Sequence, residues 1–301
     1  MAITFKVVYL PENQGHGNAR RKSLEECTNE LVALMDADDI SFGNRFEKQL
    51  KIFKDFDGVD IVGGQITEFI GEPENITGKR IVPENDADIK AFMKKRCPMN
   101  QVSVMFKKTF YEKVGGYIDW FCEEDYYLWL RMAEAGGIFA NVPETLVNVR
   151  IGDAMSARRG GLKYFLSEAG IQKYMYSKKI ISLPRFLYNV ALRFGGEVIL
   201  PNKIRTTLFK KLRASTEGEK LNLQRIEHLN TIGEYPPFSV AMCVYGGDNP
   251  EWFDTALESV ILQTIQPTEI VLVVDGPIPQ SIQTIIDKYT SICMKNHFKE
   301  M

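Results

Sequence analysis

The chain has little of what marks disulfide-bonded, zinc-binding or membrane-spanning proteins. Only five cysteines and three histidines occur among its 301 residues, and the cysteines show no CxxC or other metal-ligand spacing. An odd number of cysteines in apolar surroundings predicts reduced, buried thiols and therefore a cytoplasmic protein. No apolar run reaches the roughly 18 residues that a membrane-spanning helix needs, and no N-terminal segment is typical of a signal peptide.

An excess of positive charge and a phosphate-binding P-loop are also missing. The formal net charge is -2, which argues against a general nucleic-acid-binding protein. Gly15, His16 and Gly17 form a glycine-rich turn, but no Lys-Ser or Lys-Thr pair stands directly after its last glycine, as a P-loop requires. With 45% hydrophobic and 25% charged residues, the composition predicts one large globular domain with an appendage, or two small domains.

Positive charge is concentrated in residues 161–213. Eleven Lys or Arg residues stand there against two acids, and aromatic residues are interleaved with them. This pattern is typical of helices that lie on an anionic membrane surface, and a helical subdomain with a solvated basic face is the alternative. We expect a basic amphipathic helical subdomain at 161–213 that contacts a membrane, followed by a polar linker at 214–236.

The predicted strands stand in an unusual order along the chain. The run Leu31 to Met35 is wholly apolar and follows a strand near residues 5–10. Two more buried strands, at 238–245 and 269–275, lie near the other end of the chain. Wholly apolar strands predict a mostly parallel sheet with helices on both faces, which is the α/β fold class.

Read cyclically, the chain forms one continuous β-α-β-α-β unit. Residues 237–301 then supply the first β-α-β-α part of the domain whose remainder is residues 1–160, and the helical subdomain becomes an appendage. This order predicts that strand 269–274 lies beside strand 5–10 in one sheet. A circular permutation accounts for it, since compact domains tolerate new termini at exposed loops, and a fusion of two truncated reading frames is the alternative.

Acidic residues follow the apolar strand directly. Asp36, Asp38 and Asp39 emerge where Leu31–Met35 ends, at the edge where ligands bind in open α/β sheets. Carboxylates so close together repel one another unless a cation lies among them, and Mg²⁺ or Mn²⁺ bridging a diphosphate suits such ligands. The alternative is an acidic turn in which Asp39 or Ser41 caps a helix that begins near Phe42.

Five motifs in this cyclic order carry a resemblance to a known family. They are FSVAMCVY at 238–245, QTIQPTEIVLVVDGP at 263–277, ENQGHGNAR at 12–20, LMDADD at 34–39, and GGY at 115–117 followed by EDYYLWLR at 124–131. Together they resemble the family 2 glycosyltransferases of the GT-A fold, particularly the bacterial branch that builds surface polysaccharides. The similarity covers nearly the whole chain except the linker.

The resemblance implies a nucleotide and metal site. Val244 and Tyr245 correspond to the strand end that supports the nucleotide, and Asp275 to a carboxylate that accepts the uracil N3 proton. Arg20 corresponds to a basic group near the base and phosphates. In the acidic turn, Asp36 corresponds to the first acid of the family's DxD motif.

The resemblance also implies a catalytic group and a metal ligand. Asp38 corresponds to the acid that binds the metal, and Asp125, or Glu124 beside it, to the catalytic base. The helix dipole at the start of that helix is expected to keep Asp125 ionised. Arg158 and Arg159 correspond to a loop over the donor or acceptor. The family's histidine metal ligand after the base helix has no counterpart here.

The implied reaction is transfer of a hexosyl group with inversion from a nucleotide-diphospho-sugar, expected to be a UDP-sugar. The expected cofactor is Mn²⁺ or Mg²⁺, and the expected acceptor is a glycan or lipid-linked glycan at the inner face of the cell membrane. A nucleotidyltransferase is the enzyme alternative, but Tyr245 to Pro250 lacks the basic residues that one needs. An inactive, transferase-like protein that only binds partners is the other alternative.

Overall fold

One sheet organises the residues that the computed structural model describes, which are 3–152, 161–199 and 235–298. Its strands are β1 (Thr4–Leu10), β2 (Leu31–Met35), β3 (Ile40–Ser41), β4 (Ile61–Phe69), β5 (Ile76–Arg80), β6 (Met105–Lys107), β7 (Phe139–Arg150), β8 (Phe238–Tyr245) and β9 (Glu269–Asp275). The helices are α1 (His16–Glu26), α2 (Arg45–Asp55), α3 (Asp86–Met93), α4 (Lys108–Lys113), α5 (Glu124–Glu134), α6 (Leu162–Ser177), α7 (Leu183–Phe194), α8 (Pro250–Ile261) and α9 (Gln280–Phe298).

The strand order joins the two ends of the chain. It runs β1-β9-β8-β2-β6-β4-β7-β3, and β5 pairs with the second half of β4, beyond the residues that pair with β6. The strands β1, β9, β8 and β2 are parallel to one another, whereas β6 is antiparallel to both β2 and β4. The expected α/β fold is confirmed as a mixed sheet, in which β4 and β7 form a further parallel pair outside the β1-β9-β8-β2 unit. The predicted neighbourhood of strands 269–274 and 5–10 is also confirmed, because Thr4 to Leu10 pair with Glu269 to Asp275 in register.

Both faces of the sheet are covered, as the apolar strands predicted. Along β2 the side chains alternate between two hydrophobic clusters, with Leu31, Ala33 and Met35 in one and Val32 and Leu34 in the other. The first cluster is covered by α2, α8 and α9, and the second by α1, α3, α5 and α6. A run that is apolar at every position therefore fits, since neither face of β2 meets water.

A buried polar network fixes the register of the C-terminal strands at the amino end of the sheet. The carboxylate of Glu269 accepts from Thr28 N at 2.9 Å and Thr28 Oγ1 at 3.1 Å, and Ser239 Oγ also donates to it. Asn29 Nδ2 donates to Ser239 Oγ and to Thr268 Oγ1, both at 3.0 Å. These bonds hold β8 and β9 against the start of β2, although more than 200 residues separate them along the chain.

Some expected elements differ from the structure. Residues 72–88 are rich in Pro, Glu, Asn and Asp, which predicts a loop, but they contain β5 and the start of α3. The proline at 143 predicts two short strands within residues 138–149, but β7 is continuous and bulges there, because its pairing with β4 passes from Val142 to Thr145. A residue without an N–H leaves a ladder at such a bulge. No helix within the described ranges has the length and apolar character to cross a bilayer.

Candidate active site

The carboxyl ends of four parallel strands meet at one edge of the sheet. Leu10, Asp275 and Tyr245 are paired in register at the ends of β1, β9 and β8. Met35, the last residue of β2, pairs with Met242, so the acidic turn after β2 lies beside the turn after β8. This edge is where ligands bind in open α/β sheets, and the motifs from both ends of the chain meet there.

Asp275 holds the loop that leads into α1. Its Oδ1 accepts from Gln14 N at 2.7 Å and its Oδ2 from Gly15 N at 3.1 Å. Gly15 has φ 85°, which favours glycine, and a Cβ on Gly276 would come within 2.6 Å of Asn13 N. The loop and the end of β9 therefore fit together closely. The expected role of Asp275 towards uracil stays a prediction, and the carboxylate also has this structural task.

Arg20 on α1 joins the two acidic motifs. Nη2 lies 3.1 Å from Asp36 Oδ1, and Nη1 lies 3.2 Å from Asp125 Oδ1. Its side chain is only 5% exposed and lies over the ring of Tyr117, 5.6 Å from the centroid. With its amide oxygen facing the guanidinium, Gln101 accepts from Nη1 at 2.8 Å and Nη2 at 2.9 Å.

Arg20 carries a fixed positive charge between the two acids. Burial acts to lower its pKa, but the neighbouring acids, Asp36 first among them, raise it above the ordinary value. His16, one turn earlier on α1, also contacts Nη2, so the turn that lacks P-loop character still lies at the site. The planar fork of an arginine can bind two carboxylates in fixed directions, which a lysine cannot.

Asp125 is buried enough to hold its proton near neutral pH. Burial raises its pKa to about 7, with Arg20 opposing the rise and Glu124 and Asp36 adding to it. Loss of solvent thus opposes the helix dipole that is expected to keep this carboxyl ionised. A carboxyl group with this pKa is matched to taking up a proton at physiological pH.

Asp38 has an environment that suits a cation. Burial raises its pKa to about 6, and the charges of Asp36 and Asp248 add to the rise. Burial likewise raises the pKa of Asp248 to about 6. Hard carboxylate oxygens that destabilise one another's charge fit Mg²⁺ or Mn²⁺. In the part of the chain that the structure describes, no three acidic, histidine or cysteine side chains converge as a complete metal site, so a cation on Asp38 would need oxygen ligands from a bound diphosphate.

Asp39 is a structural member of the acidic turn. It is buried, and its Oδ1 accepts from Arg150 N at 2.8 Å. The alternative that Asp39 or Ser41 caps a following helix is wrong, because Ser41 lies in β3 and the residue before α2 is Asn44. Asp39 instead ties the turn to the end of β7, and burial raises its pKa.

Arg150 closes the site on the side of β7. Its guanidinium lies 4.5 Å from the ring centroid of Phe69 and 4.3 Å from that of Trp252. Nε donates to Asp38 O at 3.3 Å, and Nη1 donates to Gly71 O at 2.7 Å. Trp252 belongs to α8, so this stack also joins the C-terminal unit to the acidic turn.

The other predicted site residues are placed as follows. The side chain of Val244 is buried in the core, so only its main chain can face a nucleotide, whereas Tyr245 is about half exposed at the strand end. Glu124 lies beside Asp125 in the first turn of α5. Arg158 and Arg159 lie outside the described residues, as does most of the linker.

Comparison with known proteins agrees with this geometry. The profile of Glycosyl transferase family 2 matches residues 2–114. An uncharacterized glycosyltransferase of Haemophilus influenzae is 39% identical over 210 residues, which are 70% of this chain and 76% of that protein. The chain belongs to glycosyltransferase family 2.

Two further relatives carry more specific names. The UDP-Gal:alpha-D-GlcNAc-diphosphoundecaprenol beta-1,3-galactosyltransferase of Escherichia coli is 33% identical, over 70% of this chain and 76% of that protein. The amylovoran biosynthesis glycosyltransferase AmsE of Erwinia amylovora is 34% identical, over 69% of this chain and 77% of that protein. This family 2 glycosyltransferase thus shares most of its length with proteins of bacterial polysaccharide biosynthesis.

Sequence reasoning did not assign three residues that this glycosyltransferase brings to the site. Gln101 contacts Arg20, Asp248 contributes charge beside Asp38, and Arg150 contacts the acidic turn. Asp248 had a signal, since it stands in a polar turn after a buried strand. Gln101 and Arg150 had none, because only the packing of β6 and β7 against the rest of the sheet brings them near.

Proposed function

We propose that this glycosyltransferase transfers a hexosyl group from a UDP-sugar, with inversion, to a lipid-linked glycan acceptor in the synthesis of a bacterial surface polysaccharide. The observation that carries the proposal is the bridge from Asp36 through Arg20 to Asp125. Through this bridge a carboxyl group with a pKa of about 7 lies across Arg20 from the acidic turn, where a nucleotide diphosphate and its cation would bind.

In the proposed mechanism Asp125 takes the proton of the attacking acceptor hydroxyl. Inversion is a single displacement, so the hydroxyl attacks the anomeric carbon from the face opposite the leaving nucleotide, within hydrogen-bond distance of its base. Arg20 holds Asp125 in place and keeps a positive charge on the side of the departing diphosphate. Glu124, one residue earlier, tunes the pKa of Asp125 and is not itself the base.

Asp38 is proposed to bind the cation, Mn²⁺ or Mg²⁺. When bound, such a cation neutralises charge that develops on the departing diphosphate. Asp36, which forms an ion pair with Arg20, belongs to the same turn. Asp248 supplies a further carboxylate beside it. Asp275 and Tyr245, at the neighbouring strand ends, are proposed to contact the nucleoside.

The names of the relatives support the choice of donor and acceptor. The Escherichia coli relative is named for UDP-Gal as donor and for a diphosphoundecaprenol-linked sugar as acceptor. An acceptor on a lipid carrier places the reaction at a membrane surface, which we propose to be the inner face of the cell membrane. The family membership favours sugar transfer over nucleotidyl transfer.

The test is release of nucleoside diphosphate from UDP-, GDP- and dTDP-sugars, measured with Mn²⁺, with Mg²⁺ and with EDTA. Cation-dependent turnover of a UDP-sugar is expected, together with loss of turnover in Asp38→Asn. The control is Asp55→Asn, which removes an exposed carboxylate at the end of α2 and should leave turnover unchanged. Turnover that is indifferent to EDTA and to Asp38→Asn would refute the metal role, and failure to bind any nucleotide would favour an inactive protein.

A further inference from the structure

The helical appendage, residues 162–199 with α6 and α7, concentrates exposed apolar surface. Nineteen large hydrophobic side chains of the described residues are exposed, and ten of them lie between Leu162 and Ile199. This stretch is about one seventh of the described chain, so the accumulation far exceeds an even distribution. Scattered exposed apolar residues are ordinary, but a contiguous patch marks an interaction surface.

The orientation of α7 is reversed relative to an ordinary surface helix. Its exposed residues are all apolar, comprising the proline of its first turn with Leu183, Leu187, Tyr188, Ala191, Leu192 and Phe194. Asn189 and Arg193 lie on the side that faces the protein, where Phe186 also packs. A surface helix of a water-soluble protein normally shows the opposite arrangement.

The inward polar contacts fix this orientation. Asn189 is buried, and its Nδ2 donates to Gln172 Oε1 at 2.8 Å and to Lys94 O at 3.0 Å. Arg193 donates from Nη2 to Lys95 O at 2.8 Å and forms an ion pair with Glu168. Turning the apolar face inward would break these bonds and leave buried polar groups without partners, which is costly.

Charge around the apolar face selects the partner. Residues 161–199 contain six Lys or Arg residues against Glu168 and Glu197. Arg193 is paired with Glu168 and Lys178 with Glu134 of α5, which leaves four of the six basic residues outside these pairs. Lys178 and Lys179 lie in the turn that leads into α7. A second copy of this chain docked through the same face would bring basic residues against basic residues. An apolar helix face rimmed by positive charge fits the boundary of an anionic bilayer.

We propose that the exposed face of α7, with the basic residues around it, is the surface by which the protein sits on an anionic lipid bilayer. The purpose of this contact rests on the proposed function, since it would bring a lipid-linked acceptor to the active site. The packing supports that purpose. Tyr174 of α6 lies edge-on to Tyr127 of α5, with centroids 4.9 Å apart, so the appendage is joined directly to the helix that carries Asp125.

The experiment is flotation of the full chain with vesicles of neutral phosphatidylcholine and with vesicles that also contain phosphatidylglycerol. We expect binding to the anionic vesicles that weakens as salt is raised. Leu187→Ser with Leu192→Ser should lower the partition coefficient at least about tenfold, because two exposed leucines lose their burial in lipid. The matched control, Ile81→Ser with Phe56→Ser, removes two similarly exposed apolar side chains elsewhere and should bind like the wild type.

A charge variant tests the electrostatic contribution to vesicle binding separately, with a second change that leaves the apolar face intact. Lys173→Gln with Lys179→Gln, which leaves the Lys178–Glu134 ion pair intact, should weaken binding at low salt and flatten its salt dependence. The proposal is overturned by absent binding, by equal binding to neutral vesicles, or by a leucine variant that binds as the wild type does. It is also overturned if the wild type self-associates through this face and ignores vesicles. Donor hydrolysis in solution is measured in parallel, so loss of the proposed activity and loss of membrane binding are read separately.

Discussion

Replacing Asp125 by asparagine should remove activity and at the same time stabilise the fold. The pKa of Asp125 is raised from 3.8 to about 7 in the folded chain, chiefly by burial. Between these values the folded chain binds more protons than the unfolded chain, so its stability falls as pH rises through that window. The interval corresponds to about 4 kcal/mol at about 1.4 kcal/mol per pH unit. This is an upper bound, because 28% of the side chain is exposed.

An asparagine cannot ionise, so it escapes this destabilisation. The gain in unfolding free energy of Asp125→Asn is expected to be absent below about pH 4 and complete above about pH 7. Urea denaturation at pH 4, 6 and 8 measures it. At pH 8, turnover of a UDP-sugar with acceptor should fall by about 10²–10⁴-fold, the usual contribution of a general base. Binding of the donor should change little.

The neighbouring carboxyl group supplies the control. Glu124→Gln removes a charge that raises the pKa of Asp125, so it should keep activity and move the rise of the pH–rate profile to lower pH. If Asp125→Asn were less stable than the wild type at pH 8, the account of the buried acid would be wrong. If Glu124→Gln were inactive and Asp125→Asn active, the base would be Glu124.

Three further outcomes are expected. Isothermal titration of UDP with Mn²⁺ should show that Asp38→Asn loses the cation dependence of nucleotide binding, whereas Asp55→Asn keeps it. Arg20→Lys should lower the unfolding free energy by about 1–3 kcal/mol, because one ammonium cannot replace a buried fork between two acids, and the exposed Arg21→Lys should change it by less than about 0.5 kcal/mol in the same denaturation assay. Glu269→Gln should cost about 1–3 kcal/mol through its lost bonds at the far end of the sheet without moving the pH–rate profile, and a shifted profile would mean that this network reaches the active site.

The acidic turn and the strand neighbours could be predicted because local pattern determines them. An apolar run such as Leu31–Met35 is readable as a doubly covered strand, and the acids that follow it must emerge at the sheet edge. The pairing of β1 with β9 followed from cyclic order. The prediction of a loop at 72–88 was wrong because the local pattern there does not indicate the elements that form. β5 is a half-exposed edge strand without apolar alternation, and the Asn85 cap with the acids of α3 looks like a polar loop in one dimension.

The electrostatics of the site could not be predicted from spacing. The start of a helix favours an ionised Asp125, whereas burial in the finished fold raises its pKa. Arg150 and Asp248 are separated from Asp38 by more than 100 residues, so their contributions depend on the register of β7 and β8. The outward orientation of the apolar side of α7 could not be predicted either. Composition shows that basic and apolar residues alternate but not which of them face inward.

The position of β8 and β9 between β1 and β2 has a consequence for biosynthesis. A ribosome makes β1 and β2 early, and about 200 residues follow β2 before β8 begins. At roughly 5–20 residues per second this interval lasts about 10–40 s. Until it ends, the facing edges of β1 and β2 lack the strands that later fill the gap, and unpaired apolar edges invite aggregation. The sheet therefore closes only late in translation, later than in a chain whose adjacent strands emerge in succession.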